Sequence, residues 1–248
     1  MSFVLCLAYL FFIGSVLGWI LELVFRKFFS PGNPQHKWIN PGFCLGPYVP
    51  LYGSGLCILY SLAYLGQVTG FGSTGIGVAI LFAAMAVSMT LIEYLTGIVL
   101  LKCFSLRLWD YSKRPGNVQG LICPLFSLIW AALGALYYFL VHPYILDALD
   151  WLANNLAFSF VIGYFFGVFT IDVAYSARIV TRIKRFAKEN NLIVKYENLK
   201  ANLHAIREQH SLRKYFFNPL HTNSKPLTEY LREAKDAVET RIQKKRQQ

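Results

Sequence analysis

Apolar residues gather into five long runs, roughly Phe3 to Phe25, Cys44 to Leu65, Ile76 to Leu101, Gly120 to Val141 and Asn154 to Tyr175. Each is long enough to cross about 30 Å of hydrocarbon as a helix. The expected fold class is therefore all-α: a polytopic helical membrane protein of about five transmembrane helices. The first run is too long for a signal-peptide core and is expected to stay as a span.

The second run begins unusually. Residues Ile39 to Gly55 read INPGFCLGPYVPLYGSG, with three prolines and four glycines at the start of a span. Pro47 and Pro50 lack a backbone N–H, and Gly42, Gly46 and Gly53 permit close approach or unusual torsions, so an irregular first turn is expected. Irregular backbone at membrane depth is tolerated where protein covers it or where it lines a wet cavity.

Charge gives the runs a direction. The connection Arg26 to Phe43 carries Arg26, Lys27 and Lys37, and the connection Lys102 to Gln119 carries Lys102, Arg107, Lys113 and Arg114. Gly66 to Gly75 and His142 to Ala153 carry no Lys or Arg. Up to Tyr175 there are 7 basic and 6 acidic residues, and after it 17 and 7. Basic connections and basic tail then share one side, which predicts an outside N-terminus and a cytoplasmic C-terminus in the plasma membrane. Residues 1–175 are read as the transmembrane domain and 176–248 as a basic, helical cytoplasmic tail.

In that tail Leu192, Tyr196, Leu199, Leu203 and Ile206 form a short stripe at spacings of three and four. A second amphipathic helix is expected from Ser224 onward, carrying Leu227, Leu231, Ala234 and Val238. The basic tail favours an anionic lipid surface over nucleic acid, for which no motif is present. Gly14 with Gly18, and Gly163 with Gly167, offer small surfaces for close helix packing, within one chain or in a homo-oligomer.

Candidate chemistry rests on a few polar residues. Glu93 lies nine residues before Lys102, so its side chain starts roughly 13 Å from the cytoplasmic end. A carboxylate at that depth costs about 3 kcal/mol, so it should face the protein interior and be paired or protonated. Glu22 precedes Arg26 by one helical turn, an ordinary helix pair. Asp172, near Arg178, has a similar reading at the end of the last run. In LRLWDYSKRPGNVQG, Trp109 and Tyr111 suit the membrane interface. Asp110 there has three roles open to it: binding Arg107 or Arg114, accepting a proton, or capping a turn through Ser112. Pro115-Gly116-Asn117 marks a turn.

The five cysteines have neither disulfide-framework nor zinc-ligand spacing, and no metal or other cofactor is expected. No phosphate loop, H-E-x-x-H or G-x-S-x-G is present, so any ATP-driven step needs a separate ATPase. No recognised catalytic motif marks an enzyme.

GWILE (Gly18 to Glu22), Asn40-Pro-Gly-Phe running into GPYVPLYGSG, IEYLTG (Ile92 to Gly97), LWDYS (Leu108 to Ser112), Asn117 with Gly120, and the FSLIW run together resemble the ABC-transporter type IV family, also called CmpB-like. Vertebrate transmembrane protein 229 is similar to a distant branch of it. The resemblance implies a multi-span, permease-like membrane protein of unassigned substrate. Its polar signature falls on Glu22, Asn40, Gly42, Gly46, Pro47, Glu93, Trp109, Asp110, Asn117 and Ser127. Where the family usually has Asn-Arg-Gly-Phe, this chain has Pro41. That departure removes a partner for Glu22 or Glu93, or an anion contact, for which Lys37 or Arg26 are the available substitutes.

Three functional expectations follow. One is a transport component with a cytoplasm-facing polar pocket around Glu22, Asn40, Glu93, Trp109, Asp110 and Asn117, walled by Gly42, Gly46, Pro47, Pro50 and Gly53. Another is a membrane-embedded enzyme acting on a lipid or amphipathic substrate through Glu93 or Asp110. The last is a structural or regulatory membrane protein.

Overall fold

The computed structural model describes residues 2–30, 33, 36–71, 74–104, 106–189 and 194–195, with side chains described as far as 181. Among them are five helices long and apolar enough to span a membrane. Helix α1 (Phe3–Phe28) starts at Ser2, whose hydroxyl caps the Leu5 amide, and ends with Arg26 and Lys27 in its last turn. Cations there suit the negative end of the helix dipole.

Helix α2 covers Pro50–Val68, so the span begins at Pro50 rather than Cys44. Proline is well placed in a first helical turn but disfavours helix in the residue before it, which confines Cys44 to Val49 to a bent lead-in. Gly42 takes φ 78°, a left-handed conformation that favours glycine. The α1–α2 interface is close: a Cβ added at Gly18 would lie 2.2 Å from Tyr52 Cβ.

Helix α3 (Gly75–Phe104) buries Gly77, Leu81, Met85, Met89, Glu93, Gly97 and Leu100. This is one stripe at spacings of four and three, and Glu93 lies within it. The opposite face, with Ile80, Val87, Leu91, Leu95 and Val99 exposed, is as apolar as the buried one. A helix of that kind is expected where lipid, not water, covers the outer face.

The fourth span is continuous from Pro124 to Asn154. Helix α4 (Pro124–Leu136) passes through a π turn at Tyr137–Val141 into α5 (His142–Asn154). The connection expected at His142 to Ala153 is therefore helical. Ile145, Leu149 and Leu152 are buried at helical spacing. Pro143 has no N–H to donate backward, and the preceding wide turn absorbs that loss instead of ending the helix. A 3₁₀ turn at Leu156–Phe158 leads into α6 (Ser159–Glu189), which runs well beyond Tyr175.

Two-residue strands β1 (Leu106–Arg107) and β2 (Val194–Lys195) pair in parallel. Extended backbone at Val194–Lys195 replaces helix inside the expected stripe from Leu192. The rest of that stripe and the helix expected from Ser224 lie outside the described residues. The main core gathers Leu10, Leu59, Ala63, Met85, Met89, Tyr137 and Leu152. Cys44, Tyr48 and Phe165 form a smaller one, flanked by Phe11, Phe12 and Phe169.

Candidate functional site

Alternating helices bring residues 36–49 and 106–123 to one end of the bundle, beside the ends of α1 and α3 and the Asp172 to Ser176 turn of α6. Asn33 and residues 36–40 fold back on α1. The Asn33 amide donates to the Arg26 and Lys37 carbonyls at 3.2 and 2.7 Å, while Lys27 Nζ sits 3.7 Å from the Trp38 ring centroid. Asn40, 1% exposed, accepts from Trp19 Nε1 at 2.6 Å and donates to the Leu45 carbonyl at 2.7 Å. Its role in this structure is to join α1 to the lead-in of α2.

That lead-in is also gripped from α6. Asp172 accepts from the Leu45 amide at 3.1 Å, the Gly46 amide at 2.8 Å and the Tyr48 hydroxyl, and Ser176 donates to it at 3.0 Å. Burial, then the Asp172 carboxylate, push the Tyr48 hydroxyl far above the usual tyrosine range. Two amides of Pro-Gly-rich backbone thus find an acceptor across the bundle, as buried backbone requires. Sequence reasoning placed Asp172 beside Arg178; its partners are Ser176 one turn on and, 124 to 127 residues earlier in the chain, Leu45, Gly46 and Tyr48.

Glu22 pairs with Arg26 at 2.9 Å, as the one-turn spacing predicts. Its other oxygen accepts from the Tyr52 hydroxyl at 2.8 Å. Tyr52 lies 6.1 Å, centroid to centroid, from Trp130 on α4. Trp130 Nε1 in turn donates to Glu93 Oε2 at 2.9 Å, and the Tyr111 hydroxyl donates to Oε1 at 3.0 Å. Glu93 is 4% exposed and faces the interior. Burial, then the Glu93 carboxylate, raise the Tyr111 hydroxyl well beyond its ordinary value. Tyr111 also stacks on Phe126 at 4.3 Å, which fixes the loop over the start of α4.

Segment 105–123 is internally bonded. Asp110 takes two of the roles open to it: it pairs with Arg107 at 2.9 Å and caps Ser112 through that residue's amide and hydroxyl. Arg107 reaches on to Ser112 Oγ and the Gln119 carbonyl. Asn117 donates to the Arg114 carbonyl at 2.7 Å and accepts from the Gly120 amide at 2.9 Å. Gly120 has φ 70°, and a Cβ there would meet Ser112 Oγ at 2.4 Å. Trp109 Nε1 donates to the Leu121 carbonyl at 2.8 Å. Asp110 and Asn117 therefore shape a loop, and Tyr111, read from sequence as an interfacial ring, is the residue that touches Glu93.

The six candidate residues form three adjacent networks: Glu22 and Glu93 linked through Tyr52 and Trp130, Asn40 with Trp19, and the loop of Trp109, Asp110 and Asn117. Of the proposed wall, Gly46 donates to Asp172, Gly53 packs on Ser15, Pro50 opens α2, and Gly42 and Pro47 bend the lead-in. An open apolar groove of about 370 Å³ lies between α3 and α4, lined by Thr90, Leu91, Tyr94, Ile122 and Ser127 among others, and contains none of the six. Thr90 bonds Ser127 there at 3.1 Å. Among the described residues no group of three or more His, Cys, Asp or Glu is placed to hold a metal.

Five apolar spans and a polar end with two inward-facing glutamates define a polytopic α-helical membrane protein. The chain belongs to the family described as Putative ABC-transporter type IV, whose sequence profile matches residues 9–177. No curated protein and no solved structure matches it.

Proposed function

We propose that this chain is a permease-like membrane component of a transport system, with residues 1–175 in the plasma membrane and 176–248 as a basic cytoplasmic tail. The N-terminus lies outside, and the end bearing Glu22, Asn40, Trp109, Asp110 and Asn117, with Glu93 beneath it, faces the cytoplasm. The family and the basic residues of both connections at that end support this reading. The observation that carries it is Glu93: an acid 4% exposed inside an apolar bundle, tied to Tyr111 of the loop and Trp130 of α4. Intramembrane acids are costly and mark ion or substrate paths. Energy comes from a separate cytoplasmic ATPase.

Vesicle uptake coupled to ATP, compared between wild type and Glu93→Gln, tests this reading. Loss of uptake with normal folding supports it, and unchanged uptake removes Glu93 from the path. Both Glu93 oxygens are satisfied by neighbouring side chains, which also favours a structural reading. A large drop in melting temperature in the same variant would support that second role.

A further inference from the structure

Among the described residues Glu93 has no counter-charge at salt-bridge distance. Its partners, Trp130 N–H and the Tyr111 hydroxyl, are neutral donors, and among the described residues no salt bridge reaches it. The described side chains of the neighbouring elements do not supply one. α1 presents Glu22 and Arg26, which pair with each other; α2 presents Tyr52; α4 presents the Trp130 indole; the loop presents Tyr111, with Arg107 bonded to Asp110. The α6 carboxylate, Asp172, is held by Leu45, Gly46 and Tyr48. Among the described residues, Glu22, Arg26 and Glu93 together leave one negative charge, bounded by the polar edges of Tyr52, Trp130 and Tyr111. A carboxylate buried in an apolar bundle is expected to be paired or protonated.

We propose that Glu93 is the binding site of an exchangeable monovalent cation, a proton being the smallest, reached from the loop side past Tyr111. When the cation is a proton it adds to Oε1, and the Tyr111 hydroxyl turns from donor to acceptor, while the Trp130 bond to Oε2 persists. This deepens the transport reading and rests on it for its purpose: the site would hold the coupling ion or a cationic cargo.

Trp130 reports on the site, because its N–H contacts the carboxylate directly. Tryptophan emission of the purified full-length protein in nanodiscs is followed in three titrations: pH 8.5 to 5.5, NaCl at fixed pH, and methylammonium chloride at fixed pH, each against N-methylglucamine at equal ionic strength. A saturable change is expected that disappears in Glu93→Gln and in Trp130→Phe and persists in Asp110→Asn. A response to pH alone identifies a proton, and a response at fixed pH identifies sodium or an ammonium ion. Tyr111→Phe, which keeps the carboxylate and removes one donor, should shift the midpoint about tenfold in cation concentration. No saturable change in any titration, an unchanged response in Glu93→Gln, or an unmoved midpoint in Tyr111→Phe overturns the proposal. Saturable binding with uptake unaffected in Glu93→Gln keeps the cation site and removes the transport role. Uptake lost without any cation response does the reverse.

Discussion

The bundle carries buried polar groups at both ends, but they do different work. At the loop end, Asp172, Glu93 and Asn40 bind backbone amides, carbonyls and aromatic donors of irregular segments. At the opposite end, His142 is 4% exposed beside the π turn, within 3.0 Å of the Tyr137 hydroxyl and 3.2 Å of Gln67 Nε2. Those partners are uncharged side chains, Gln67 on α2 and Tyr137 on the π turn itself, and between the two ends lie Leu59, Met85 and Met89. The Asp172 and Glu93 carboxylates thus sit on helices beside irregular backbone. The comparison teaches that one end is built to position loops and the other to join helices.

The comparison can be broken most severely at Asp172. Asp172→Ala leaves the Leu45 and Gly46 amides and two hydroxyls without their acceptor, and should cost about 4 kcal/mol in a detergent unfolding titration. Next in size is Gly18→Val, which drives side-chain atoms into Tyr52 and separates Glu22 from its hydroxyl partner. A loss of about 3 kcal/mol is expected in the same measurement. At the neutral end His142→Phe should cost less, about 1.5 kcal/mol, because two uncharged partners lose one bond each.

A pH scan sharpens the contrast further. Tyr48 and Tyr111 lie in the loop end with folded values raised above the ordinary 10.0. Above pH 10 the unfolded chain loses those protons first, so their contribution is complete below pH 10 and falls as pH rises past it. Stability should decline there by about 1.4 kcal/mol per pH unit per tyrosine, and Tyr111→Phe should make the decline shallower. The smallest effect belongs to Gly163→Ala. A Cβ there meets nothing within 4 Å, so melting should shift by less than about 0.5 kcal/mol.

The apolar runs made the five spans legible, and the position of Glu93 made its inward orientation legible. No other residue of α3 distinguishes its two faces, since both are apolar; the cost of exposing a carboxylate to lipid does. The Glu22 to Arg26 pair could be read because both residues share one helix. Trp130, Tyr52 and Asp172 could not be read as partners, because long-range hydrogen bonds leave no periodicity, and an aromatic residue near a span end is equally at home at the interface. The helical course past His142 was hidden for another reason: Pro143 looks like a stop, and only the wide turn before it lets the helix continue. Gly14 and Gly18 meet α2, whereas Gly163 and Gly167 meet nothing within 4 Å, although their spacing is identical.

The two donors of Glu93 come 18 and 37 residues after it in the chain. During synthesis, then, α3 reaches the insertion machinery carrying a carboxylate whose partners have yet to be translated. The α1–α2 hairpin, by contrast, already holds both members of its Glu22–Tyr52 bond when α2 emerges. Biogenesis should therefore proceed in two stages, an early hairpin already joined by its Glu22–Tyr52 bond, and a pause in which α3 waits, sheltered from lipid, until α4 arrives.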